Sequence, residues 1–172
     1  MKLKLPTKGN AMNTTTQKRT ATLLLTAATL FSGFALADNQ AKVQTFYDLI
    51  NEPTSESVVK EFDSNVAEHW VSVGDYSGKE KSKAAFLGEM GYFSTLVPNL
   101  DWNVEEMIES GDTVVVRSRA TGTPQGAFFG VDGKGKSFDI LAIDIHTFQN
   151  GKIVKTYHVE DWSGAIAQLS GE

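Results

Sequence analysis

The stretch IDIHTFQNGKIVKTYHVEDW, residues 143–162, decides how the second half of this chain folds. Two alternating runs flank Asn150-Gly151. Both central positions of a type I′ turn need φ > 0, and Asn-Gly supplies this readily, so the segment predicts a two-residue β-hairpin. Pairing about that turn sets Phe148 opposite Ile153, His146 opposite Lys155, Asp144 opposite Tyr157 and Ile140 opposite Asp161. One face of the hairpin then holds Asp144, His146, Tyr157 and Asp161, and the other Ile143, Ile145, Val154, His158 and Glu160. A one-residue bulge reverses every side chain beyond it, so which histidine accompanies Asp161 stays open. Ionisable groups among isoleucines and valines line either a wet edge or a pocket where a shifted pKa is useful.

Upstream, residues 102–109 and 113–121 flank Ser110-Gly111-Asp112 and predict another hairpin. Between the hairpins lies a loop, GTPQGAFFGVDGKGK, residues 122–136, with an apolar patch at Phe128-Phe129. Its DGKGK piece lacks both the spacing of a phosphate loop and the Ser or Thr after the lysine. A short helix is expected over 163–169. Nearer the N-terminus, Val43, Phe46, Tyr47 and Ile50 share one face of a helix over 40–51, which Glu52-Pro53 ends. Thr54 can cap a second helix running through Phe62. Residues 69–73 read as a strand with Trp70 as packing, and 74–78 as a loop. A third helix over 79–96 places Phe86, Met90, Phe93 and Val97 on one stripe before Pro98 stops it. Lys79, Lys81 and Lys83 fall in its first turns and read as a solvated face. Helices followed by an antiparallel meander make an α+β domain, with helices over one face of a curved sheet that can curl around a cavity.

The first 37 residues read as a secretory signal peptide. Lys2, Lys4, Lys8, Lys18 and Arg19 precede an apolar stretch over 21–34, and Ala35-Leu36-Ala37 gives a small-x-small cleavage site before Asp38. The expected mature domain is 38–172, periplasmic or secreted. The leader takes five of the 16 basic residues and none of the 21 acidic ones, leaving 11 positive against 21 negative charges, a net −10. Such a domain repels phosphate backbones and offers no polybasic segment to lipid, so no nucleic-acid partner and no membrane partner after cleavage is expected. With no cysteine in the chain, thiol nucleophiles and cysteine metal sites are excluded.

Each polar residue of the last hairpin has a plain reading beside a chemical one. Asp161 precedes a helix and can be its N-cap. His146 can be an edge histidine, and His158 with Glu160 a solvated or inter-subunit pair. Asp144, between two isoleucines, needs partners if buried, and Tyr157 or Lys155 could serve. Arg117 and Arg119 share a strand face and can pair with carboxylates. The three histidines show no His-x-His or His-x-x-x-His spacing, so no metal site is expected.

Three pieces carry a family resemblance: VQTFYDLI, ESGDTVVVRSRATGTPQGAFFGV and NGKIVKTYHVEDWSGAIAQL. The last supplies Gly151-Lys152-Ile153, Tyr157, Asp161 and Gln168-Leu169. With these the chain resembles the SnoaL-like, or ester cyclase-like, branch of the nuclear-transport-factor-2-like superfamily. The resemblance implies a conical α+β barrel, with three N-terminal helices packed on a strongly curved mixed, mostly antiparallel sheet, and pairing as a homodimer through that sheet. It implies an apolar pocket for a small hydrophobic carbonyl or ester compound, and acid/base chemistry of the aldol cyclisation or isomerisation type with no cofactor. It makes Asp161 the catalytic acid/base. The hairpin itself offers His146, His158 and Asp144 as further catalytic candidates, and Tyr157, Trp70, Phe86, Phe128 and Trp162 are the expected pocket residues. Where many members carry a His after the Gly-Thr of the loop, this chain has Pro124. Two other readings stand beside this one. One is an epoxide hydrolase or dehydratase on the same fold, using Asp144, Asp161 and Arg117 or Arg119. The other is a non-catalytic binding or dimerisation module, with Asp161 as a cap and the pocket plugged by Phe128, Phe129 and Trp162.

Overall fold

The structure, a computed structural model, describes residues 28–171, with side chains from residue 38 onward. The proposed leader over 1–37 thus lies largely outside the described residues. The elements run α1 (Ala28–Asn51), α2 (Glu56–Asn65), β1 (Val66–Val73), β2 (Lys81–Ser82), α3 (Lys83–Leu96), β3 (Asp101–Ser110), β4 (Thr113–Gly122), β5 (Phe138–Gln149), β6 (Lys152–Glu160) and α4 (Trp162–Ser170). Six strands form one sheet in the order β2-β1-β6-β5-β4-β3. All neighbours are antiparallel except β1 and β6. The α+β architecture expected from the sequence is therefore present, with three helices before the meander.

Alternation fixes the buried face. Val114, Val116, Ser118 and Ala120 of β4 and Ile140, Ala142, Asp144, His146 and Phe148 of β5 all point inward. Val43, Phe46, Tyr47 and Ile50 of α1 cover them, as the helical spacing predicts. Phe46 stacks on Phe86 at 5.1 Å between ring centres and meets Trp70 at 5.8 Å. Each such buried ring contributes about 1.5–3 kcal/mol by leaving water.

Two expectations near α3 are corrected. The helix begins at Lys83, capped by Ser82, whose Oγ accepts from Ala85 N at 3.3 Å. Residues 81–82 pair instead with β1 as a short edge strand. Lys83 is buried rather than solvated, because its ammonium finds partners. It contacts Asp63 Oδ1 at 2.8 Å and donates to the Val66 carbonyl at 3.3 Å. Likewise α2 is entered at Ser55, one residue after Thr54, and its Oγ makes no capping bond.

Candidate active site

The last hairpin forms about the predicted turn, with Asn150 at φ 52° and Gly151 at φ 74°. Phe148 pairs with Ile153, but the register then slips. Val154 is extra, and pairing resumes at Thr147–Lys155, so that His146 faces Thr156, Asp144 faces His158 and Ala142 faces Glu160. The bulge reverses the parity of β6. Thr156, His158 and Glu160 join Asp144 and His146 on the inner face, while Tyr157 and Val159 turn outward and are exposed.

Asp144, Thr156, His158 and Glu160 floor a cavity of about 320 Å³, with His146 buried behind them. Its walls are Phe86, Met90, Phe93 and Leu96 of α3, Trp102 of β3, Phe128 and Phe129 of the loop, and Trp162 of α4. Phe128 lies 5.6 Å from Trp162 and 5.8 Å from Phe93 between ring centres. The aromatic cluster forms one wall and does not plug the space. Lys81 and Glu89 form an ion pair that also borders the cavity.

Behind the floor runs a buried hydrogen-bond chain. The Tyr47 hydroxyl donates to Asp144 Oδ2 at 2.9 Å, and its oxygen lies 3.0 Å from His146 Nε2. His146 Nδ1 is 3.0 Å from Thr156 Oγ1, which accepts from Trp70 Nε1 at 3.0 Å. A hydroxyl carries one proton. Since that of Tyr47 goes to Asp144, His146 must donate from Nε2 and accept at Nδ1, and Thr156 must donate to it. The tautomer is thus assigned by the network, and the donors all run toward Asp144. Among the described residues none donates to Asp144 Oδ1, and Asp144 lines the cavity.

Environment separates the titrating groups. Burial pushes the Asp144 carboxyl up to about 7, against the Tyr47 hydrogen bond, which lowers it; Glu160 raises it further and His158 lowers it. Burial pulls His146 down to about 3, so the ring is neutral. Burial, then the charge of Asp144, hold the Tyr47 phenol well above its usual value. His158 Nδ1 lies 2.7 Å from Glu160 Oε1, and that hydrogen bond raises the imidazole above its ordinary value. The floor therefore pairs a carboxyl poised near neutrality with an imidazole held toward its cationic form.

Asp161 is placed elsewhere. Its carboxylate caps α4, accepting from Gly164 N and from the Ser163 hydroxyl, each at 2.9 Å, and it is exposed and outside the cavity lining. Gly164 makes this possible, since a Cβ there would lie 2.2 Å from Asp161 Oδ2. Of the expected pocket residues, Phe86, Phe128 and Trp162 line the cavity. Trp70 is buried behind the floor and Tyr157 lies on the outer face. The partner of Asp144 is Tyr47, not Tyr157 or Lys155. Arg117 and Arg119 are exposed and bind Glu106 and Asp139. Among the described residues no group of three or more His, Asp or Glu is gathered as a metal site, and no helix is long and apolar enough to cross a membrane. Tyr47 and Thr156 were not singled out from the sequence. Tyr47 carries a hydroxyl on the otherwise apolar face made by Val43, Phe46 and Ile50, a signal that could have found it.

This arrangement, helices packed on a six-stranded mixed, mostly antiparallel sheet, is the nuclear-transport-factor-2-like fold. The chain belongs to the SnoaL-like polyketide cyclase family, whose sequence profile matches residues 41–169. Its structure is similar to that of IdmH, a candidate polyketide cyclase of Streptomyces antibioticus, with 22% identity and a TM-score of 0.66 over 76% of this chain and 97% of IdmH. TsrD of Streptomyces laurentii aligns at 19% identity and a TM-score of 0.67 over 79% of this chain and 97% of that one. AclR of Streptomyces galilaeus, a candidate hydroxylase, aligns at 20% identity and a TM-score of 0.65 over 79% and 98%. At such identities the likeness concerns the fold alone. No curated protein matches the chain in sequence.

Proposed function

We propose that this protein carries out cofactor-free acid/base chemistry, of the aldol cyclisation or isomerisation type, on a small hydrophobic carbonyl or ester compound bound in the aromatic cavity. The observation that carries the reading is the Asp144 carboxyl, buried at the cavity floor, poised near neutrality and directly opposite His158. In its ionised form Asp144 takes a proton from the carbon beside the carbonyl. The C–H electron pair becomes the new C=C bond, the carbonyl π pair moves onto oxygen, and the His158 imidazolium, held by Glu160, stabilises the resulting enolate. Asp161, capping α4 outside the cavity, has no part in this step. The hydrolase or dehydratase alternative lacks its guanidinium, because Arg117 and Arg119 face outward onto carboxylates.

We infer further that the chain is exported, on the strength of its basic leader and the small-x-small site before Asp38. It pairs as a homodimer through the outer sheet face, where Leu141, Ile145, Tyr157 and Val159 are exposed. The chemistry is tested with 2-tetralone, a small aromatic ketone, incubated with the protein and a metal chelator in deuterated buffer. Loss of its α-proton signals faster than in buffer alone is expected. No acceleration with the ketone demonstrably bound contradicts the reading.

A further inference from the structure

We propose that Tyr47, His146 and Thr156 form a proton relay that carries protons between the Thr156 hydroxyl and the Asp144 carboxyl, two groups that both line the cavity. The inference deepens the reading of Asp144 as the cavity's base, but the geometry stands by itself. Three contacts of 2.9, 3.0 and 3.0 Å link four side chains in series. The two middle members, Tyr47 and His146, are fully buried, while Asp144 and Thr156 reach the cavity. Support of a carboxylate needs only its first donor. Here the chain continues through an imidazole and returns to the same cavity.

The transfer balances. With Asp144 ionised, Thr156 donates to His146 Nδ1, His146 Nε2–H to the Tyr47 oxygen, and Tyr47 O–H to Asp144 Oδ2. A proton arriving at Thr156 Oγ1 releases the Thr156 proton to Nδ1. The Nε2 proton then passes to the Tyr47 oxygen, and the Tyr47 proton to Oδ2. Each oxygen and nitrogen that gave up a proton has gained one, except that Nε2 has lost its hydrogen and Nδ1 has acquired one. The net result is a neutral Asp144 and the other tautomer of His146. The reverse sequence delivers a proton at Thr156. His146 is held neutral by burial, so it passes a proton by exchanging tautomers rather than by becoming cationic.

The charged and titratable groups facing this chain are few. Tyr47 approaches from α1, and His158 and Glu160 from β6. Lys81 of β2 acts on His158. The β4 residues opposite Asp144 and His146 are Val116 and Val114, and the rings of Phe46 and Tyr47 lie against His146.

The test is nuclear magnetic resonance of the isotope-labelled protein from about pH 9 to about pH 3, spanning the ordinary carboxyl and imidazole ranges. It follows the His146 ring nitrogens and the Asp144 carboxyl carbon together. The relay predicts that the proton moves from Nε2 to Nδ1 with the same midpoint as the Asp144 carboxyl, and without an imidazolium signal. In Tyr47→Phe, Asp144 still titrates and the His146 tautomer no longer follows. A tautomer that stays Nε2–H on both sides of the Asp144 midpoint overturns the relay, as does a Tyr47→Phe protein in which His146 still follows Asp144. Either result leaves Asp144 as base untouched. An Asp144 midpoint near the ordinary carboxyl value contradicts the base reading instead, and the tautomer's response at that midpoint still decides the relay.

Discussion

Asp144 on β5 and His158 on β6 are direct cross-strand partners, brought face to face by the one-residue bulge at Val154. Without the bulge, Asp144 would stand opposite Tyr157 and His158 would point to the outer surface. The slip therefore puts a carboxyl whose ionisation is resisted by burial beside an imidazole whose protonation is favoured by Glu160. Both shifts are upward: the carboxyl's carries it toward neutrality as a base, and the imidazole's extends the range over which it stays a cationic donor.

This pairing predicts the pH dependence of the chemistry. Asp144 must be ionised, so the rate rises as pH passes about 7. His158 must be protonated, so the rate falls as pH passes its raised value. The α-proton exchange rate of 2-tetralone plotted against pH is expected to be bell-shaped, with apparent values belonging to the pair. His158→Gln is expected to lose the descending limb and about 10²–10³ in rate, the effect of removing one stabilising donor. A profile that His158→Gln leaves intact counts against this role.

Asp161 is expected to matter for stability and not for chemistry. Its carboxylate serves Gly164 N and Ser163 at the start of α4. Asp161→Ala should cost about 1 kcal/mol in denaturant unfolding, while Asp161→Asn, also a good N-cap, should be close to neutral. Equal and large losses in both variants would contradict a capping role.

The fold was legible because its signals are local. Asn150-Gly151 named a turn, and Val43, Phe46, Tyr47 and Ile50 named a helix face; both stand as read. The site was less legible because it depends on one residue of register. Nothing in Lys152-Ile153-Val154-Lys155 marks Val154 as the bulge, yet that residue decides whether Tyr157 or His158 enters the cavity. Val114 and Val116 are fully buried, and Ile143 and Ile145 face outward. The partnership of Tyr47 with Asp144 spans 97 residues and has no sequence pattern at all.

The outer face makes a prediction about assembly. Leu141, Ile145, Tyr157 and Val159 expose apolar surface on adjacent strands. Sedimentation at micromolar concentration is expected to show a dimer, and Val159→Lys, which places charge on that face, is expected to shift it toward monomer. A wild-type protein that sediments only as monomer refutes the homodimer.

Export is checked by mass. The proposed leader ends in Ala35-Leu36-Ala37, so periplasmic or secreted protein is expected to begin at Asp38. A mature N-terminus upstream of Ala35, or an uncleaved chain, would contradict this.

The proposed chemistry turns on which carboxylate is the base, Asp144 on the cavity floor or Asp161 at the helix cap. Side-by-side rates of 2-tetralone α-proton exchange in Asp144→Asn and Asp161→Asn separate the two. Asparagine has no basic lone pair near neutral pH, but its amide oxygen can still accept from Tyr47 or from Gly164 N. The predicted result is a loss of about 10²–10⁴ in Asp144→Asn with Asp161→Asn at the wild-type rate. Exchange that survives in Asp144→Asn and disappears in Asp161→Asn would contradict it.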